Sequence, residues 1–246
     1  MSFFENISSI QNIIYIFSSI LFISGIKMLG KEDTAVRGNF LSALAMFIAV
    51  SVTFVNVINP LLVLVGISIG AIVGSLIALK VKMTSIPEMV ALFNGFGGLS
   101  SFFLAWSEFN NLSAISLIMI LSFMTVLIGG ITFSGSVIAF FKLSEILKGD
   151  NNFLNKASRW FLIFSFLFVI IAVIQVIAGG LGYEFIDLAL IQKIFIALLI
   201  ISLLAGLAFV LPIGGGDMPV VISLLNSFSG IAAASAGVLL TNTALI

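Results

Sequence analysis

The chain reads as an all-α polytopic membrane protein, a bundle of about eight transmembrane helices with its N-terminus outside. Three observations predict this. Hydrophobic residues make up 61% of the 246 and charged ones only 8%, against about 25% charged in soluble domains. The apolar residues gather into stretches long enough to cross ~30 Å of hydrocarbon as helices. These are residues 10–28, 40–57, 61–79, 87–106, 114–141, 159–176, 188–211 and 218–240. The third observation is the placement of the basic residues. Lys27, Lys31 and Arg37 flank the first connection, Lys80 and Lys82 the third, and Lys142, Lys148, Lys156 and Arg159 the fifth, while Lys193 lies just inside the seventh span. Lysine and arginine favour the cytoplasmic side, so the odd connections are expected there and both chain ends outside. The loop at 148–156 is then cytoplasmic and residues 182–184 external.

Each span carries its own reasons. The first lacks a basic leader, carries Glu5 instead and is too long for a signal-peptide core, so it is expected to remain as a helix. The short connection Asn56-Val57-Ile58-Asn59-Pro60 predicts that the second and third helices are neighbours. On the third, Gly66, Gly70 and Gly74 form a doubled Gly-x-x-x-Gly packing surface. The fourth opens with Ser85-Ile86-Pro87-Glu88, which fits a capping box with proline in the first turn. It then carries Asn94, Gly98 and Ser101 in one line. On the fifth, Ser122, Thr125, Gly129, Thr132 and Ser136 share one helical face. The eighth follows a tight turn at Gly214-Gly215-Gly216, with Asp217 as N-cap, and carries Ser223, Asn226, Ser227 and Gly230 on a face continued by Ala233, Ala234 and Gly237.

These polar positions are the candidate site. Small residues let membrane helices approach closely, and serine or threonine bonds back to its own preceding turn, so packing alone accounts for most of the hydroxyls. Capping alone likewise accounts for Glu88. The two asparagines demand more, because an amide cannot fill its hydrogen-bonding capacity from its own helix. Polar groups at membrane depth often line pathways. Asn94, Ser136 and Asn226 are therefore expected to converge on a hydrated interior seam, with Asp217 at its cytoplasmic end able to collect or release protons.

Several chemistries are excluded. The chain has no cysteine and no histidine, which removes disulfides, thiolate metal sites and the commonest proton shuttle, and no metal site is expected. The net charge of zero offers no footprint for nucleic acid. The glycines at 214–216 are not followed by the Lys-Ser/Thr of a phosphate loop.

Four motifs, in one order along nearly the whole chain, resemble the β subunit of proton-translocating NAD(P) transhydrogenase. They are Gly25-Ile26-Lys27 with Thr34-Ala35-Val36-Arg37-Gly38-Asn39, then Met83-Thr84-Ser85-Ile86-Pro87-Glu88-Met89-Val90-Ala91. Thr132-Phe133-Ser134-Gly135-Ser136-Val137-Ile138-Ala139-Phe140 follows, and Gly215-Gly216-Asp217-Met218-Pro219 running on to Gly230 closes the set. The resemblance implies a membrane part that couples inward proton movement to hydride transfer from NADH to NADP+. It implies an α-subunit partner that supplies the NAD site and membrane helices, a dimer of the αβ unit, and a bacterial inner membrane. NADP(H) and NAD(H) would then belong to the complete complex, with none bound by these residues. The family's ninth β helix and NADP(H)-binding domain would lie beyond them, so the chain by itself is expected to transfer no hydride. One departure bears on mechanism. Asn94 stands where many members carry a histidine, which implies that the shuttle sits on an α-subunit helix instead. The alternative reading, a stand-alone secondary transporter or channel for a small solute, predicts two similar halves, and no convincing internal repeat is read. A purely structural scaffold is disfavoured by the stacked polar faces.

Overall fold

Long apolar segments in hydrocarbon must satisfy their backbone internally, and helices do so without partners. The computed structural model describes residues 3–55, 57, 59–112, 115–116, 118–147, 152–182 and 187–240. Asn56, Ala114, Lys148, Tyr183 and Glu184 fall outside them. Among the described residues there are eight α-helices and no strand, and all eight helices are long and apolar enough to cross a membrane. They are α1 (Phe3–Leu29), α2 (Glu32–Phe54), α3 (Pro60–Lys80), α4 (Ile86–Asn110), α5 (Ile118–Leu143), α6 (Asn152–Gly180), α7 (Leu188–Val210) and α8 (Met218–Leu239). Several begin well before the apolar stretch that announces them. In α2 the extra turns start with Glu32 and Asp33, whose charges suit the positive end of the helix dipole.

The helices form two compact units. In the first, α1 and α2 make an antiparallel hairpin. Ser18 Oγ donates to the Ala45 carbonyl at 2.5 Å and Tyr15 Oη lies 2.9 Å from Thr53 Oγ1. The helices touch where Gly25 meets Gly38: a Cβ on Gly38 would come within 2.7 Å of the Gly25 carbonyl oxygen. Thr34 Oγ1 ties the turn by donating to the Met28 carbonyl at 2.7 Å. The expected packing of α3 on α2 does not occur to any extent. Gly66 and Gly70 are exposed and Gly74 is half-buried, and a Cβ on any of them would meet nothing within 4 Å. Small residues permit close approach but do not supply the partner.

In the second unit α5 is the axis, packed by α4, α7 and α8, with α6 laid on α7. Two apolar clusters occupy its two ends. One joins Phe109, Met119, Phe123, Val126, Val176 and Phe195, with the Phe109 and Phe195 rings stacked at 3.8 Å between centroids. The other joins Ala91, Ile138, Ala139, Val210, Met218 and Leu225. Between them lies a belt of small and hydroxylated residues, and the candidate site is there.

The chain punctuation is mostly as the residues dictate. Pro87 and Pro219 sit in the first turns of α4 and α8, where a missing N–H costs nothing. Asp187 caps α7 by accepting from the Leu190 amide at 2.7 Å. The expected capping box does not form: Ser85 makes no side-chain cap bond, and Glu88 Oε2 accepts instead from Ser144 Oγ at 3.2 Å. Asp217 occupies the N-cap position of α8 but its carboxylate makes no cap bond either. In both helices the preceding residues form a 3-10 turn, Met83–Ser85 and Gly215–Asp217. That tighter turn holds the cap residue out of the extended conformation a side-chain cap requires, with φ −97°, ψ 7° at Ser85 and φ −91°, ψ −1° at Asp217. No glycine at 214–216 needs a positive φ.

Candidate functional site

The hydroxyl-and-glycine stripe of α5 faces the Asn94 line of α4. A Cβ on Gly98 would fall 2.8 Å from Thr132 Cβ and 2.9 Å from the Gly129 carbonyl oxygen. The two backbones thus approach closely at Gly98 and Gly129, with the Thr132 side chain packed directly over Gly98. Ser122, Thr125, Thr132 and Ser136 are each 0% exposed. Three of them behave as helix-packing residues: Ser122, Thr125 and Thr132 donate to the carbonyls of Ile118, Leu121 and Ile128 at 3.4, 2.7 and 2.7 Å. The fourth does not. Ser136 Oγ accepts from Asn94 Nδ2 at 3.0 Å, across the helix interface and with both residues buried. This contact engages only part of the amide's hydrogen-bonding capacity. Asn94 lies about 12 Å along α4 from its first residue at 1.5 Å per residue, which places the pair within the span.

Asn226 does not join the pair. Ser223, Asn226, Ser227 and Gly230 are all exposed, and Ser227 Oγ bonds back to the Ser223 carbonyl at 3.1 Å. The face that α8 buries against α4 and α5 is instead Met218, Val221, Ile222, Leu225, Ala232 and Ala236. Asn94 and Ser136 therefore meet across α4 and α5, and Asn226 does not join them within this chain. Apolar side chains fill the available groove better than an amide, and they took it. Asp217 is exposed at the start of the same helix.

Two further features lie away from the α5 stripe. On the other side of α5, Gly130 and Ser134 receive α7 at Ser202 and Gly206. The buried Ser134 and Ser202 hydroxyls donate to the carbonyls of Gly130 and Leu199, both at 2.9 Å. The four-residue spacing of small residues on each helix carried that signal. The second feature is a short recurrence between two helices, far from a repeat of halves. Pro87, Leu92, Asn94, Phe96 and Gly98 of α4 match Pro219, Leu224, Asn226, Phe228 and Gly230 of α8 at identical spacing. Each helix also follows a 3-10 turn with proline in its first turn. Asn94 and Asn226 hence occupy equivalent positions on two helices that begin alike. One asparagine faces inward and the other outward.

No group of three or more acidic, histidine or cysteine side chains that could hold a metal occurs among the described residues. The site's chemistry is that of neutral hydrogen-bonding groups, which can orient water or a partner's side chain but cannot titrate near neutral pH.

Comparison with known proteins bears directly on this arrangement. The sequence profile of the NAD(P) transhydrogenase beta subunit matches residues 11–246. The chain belongs to that family. Two relatives named NAD(P) transhydrogenase subunit beta, from Rhodospirillum rubrum and from a designated strain of that species, are each 31% identical over 243 residues. The alignment takes in 94% of this chain and 50% of each relative, so the chain spans about half the length of the curated relatives it matches. With eight membrane-capable helices and this family, it is a multi-pass membrane protein.

Proposed function

We propose that these residues are the proton-translocating part of the transhydrogenase β subunit, coupling inward proton movement to hydride transfer from NADH to NADP+ (Re/Si-specific). The observation that carries the reading is the buried Asn94–Ser136 bond at 3.0 Å, in the belt between the two apolar clusters of a family member. A buried amide tied to a hydroxyl across two packed helices is a ready place for ordered water, and polar groups kept at membrane depth mark pathways more often than not. The exposed Asn226 face presents the same chemistry outward, where lipid offers no hydrogen bonds. An α-subunit membrane helix with a polar side chain completes it and brings the titratable group this chain lacks. Asp217, exposed at the cytoplasmic mouth, exchanges protons with water. The complex sits in the bacterial inner membrane as a dimer of the αβ unit. NADP(H) and NAD(H) bind outside these 246 residues.

Reconstitution in vesicles tests this. The complete β subunit with its α partner pumps protons during transhydrogenation, and Asn94→Leu depresses coupled turnover while nucleotide affinity is retained. The 246-residue chain alone shows no hydride transfer and no saturable NADP(H) binding. Micromolar NADP(H) binding by the chain alone in calorimetry, or full coupling in Asn94→Leu, would sink the reading.

A further inference from the structure

The C-terminal end of α5 reaches both asparagine-bearing helices. Ser144 Oγ donates to Glu88 in the first turn of α4 at 3.2 Å. Lys142 Nζ donates to the carbonyl of Leu211 at 2.5 Å and to that of Ile213, both in the loop between α7 and α8. The local chemistry explains the second contact. Pro212 has no N–H to offer the last turn of α7, and an ammonium suits the negative end of a helix, where charge-assisted bonds are roughly twice as strong as neutral ones.

Beyond this contact the loop has two turn bonds of its own, from the Ile213 amide to the Val210 carbonyl and from the Asp217 amide to the Gly214 carbonyl, both 3.1 Å. Leu211 and Ile213 rest on the apolar cluster around Val210. A Cβ on Gly214 or Gly216 would meet nothing within 4 Å, and Asp217 makes no side-chain cap bond. A cavity of about 270 Å³ lies beside it, lined by Lys142, Leu147, Leu211, Pro212, Ile213 and the first two glycines, so there is room for the loop to shift. From Ile213 the chain passes straight through the 3-10 turn into α8. Wherever the ammonium holds the loop, it sets the start of α8. Lys142 lies about 9 Å beyond Ser136 on the same helix, at 1.5 Å per residue.

We propose that Lys142 is a positioning residue, a latch that fixes the depth and register of α8, with Asp217 and Asn226, against the α4–α5 pair carrying Asn94 and Ser136. Its effect on turnover rests on the proposed proton-translocating function; its effect on the loop does not.

Hydrogen exchange in lipid nanodiscs reads the loop. Lys142→Met keeps the stem and removes the ammonium, and exchange of amides in residues 211–220 should quicken about tenfold or more on losing two charge-assisted bonds. Lys142→Arg, which keeps charge and donors, should stay within about threefold of the parent, and the α1–α2 hairpin should be unchanged in both. If Lys142→Met does not fold, Lys142→Gln is measured the same way. In the complete enzyme, Lys142→Met should lower the protons moved per hydride transferred, with recovery in Lys142→Arg. Unaltered loop exchange in a folded variant overturns the latch. A loosened loop with an unaltered proton-to-hydride ratio overturns the positioning role. Hydride transfer without proton movement in the parent enzyme overturns the proposed function instead, and the exchange data still decide the latch.

Discussion

Replacing Gly98 by alanine tests the contact on which the whole site is built. The added methyl would sit 2.8 Å from Thr132 Cβ and 2.9 Å from the Gly129 carbonyl oxygen. The oxygen is backbone and the carbon is fixed directly to it, so no rotamer change relieves the clash and α4 must move off α5. Overpacking of this kind costs about 1–3 kcal/mol, offset by up to about 1 kcal/mol because alanine is the better helix former, for a net loss of roughly 1–2 kcal/mol. Gly70→Ala is the matched control. Its new Cβ meets nothing within 4 Å, so only the propensity gain of up to about 1 kcal/mol remains. Unfolding the chain reversibly in mixed micelles, followed by the fluorescence of Trp106 and Trp160, measures both. The two variants should shift in opposite directions. A Gly98→Ala chain as stable as the parent would refute the close α4–α5 approach, and with it the geometry that brings Asn94 to Ser136.

Two further outcomes are expected. With no native cysteine to interfere, a single cysteine at position 183 should react with an impermeant thiol reagent in intact cells and one at 152 should not; the reverse pattern would invert the orientation read from the basic residues. In the complete enzyme, the α partner should carry a mid-membrane histidine whose replacement abolishes coupling, with Asn94→His in this chain restoring part of it. A pumping complex whose partner has no such histidine would move attention to Asp217 and bound water.

Much of the fold was legible because hydropathy and helical periodicity are local properties. Eight spans, the inward stripe from Ser122 to Ser136 and the Asn94 line opposite it all follow from residues a few positions apart. The faces that bear the asparagine–serine pair were legible for the same reason, since each residue lies on the small, polar face of its helix. The equally small and polar face of α8 stays exposed, so the pairing itself was not legible. Helix starts were less legible than spans. Ser85 and Asp217 have the right chemistry for caps, but a 3-10 turn ahead of each helix changed the backbone on which the cap depends.

By itself the sequence determined the class, the number of spans, the absence of any titratable imidazole and the identity of the polar faces. Only the tertiary structure decided which faces turn inward. Asn94 and Asn226 stand in matching sequence contexts, yet one is buried and the other exposed. Their surroundings differ only in what packs beside them: α5 offers α4 a small, hydroxylated face, and offers α8 an apolar one, which the leucine and methionine side of α8 fills. The Lys142 latch was equally out of reach, since its acceptors are carbonyls about 70 positions away in the chain. A backbone oxygen leaves no mark on sequence, and its availability depends on how the loop that bears it is brought up to α5.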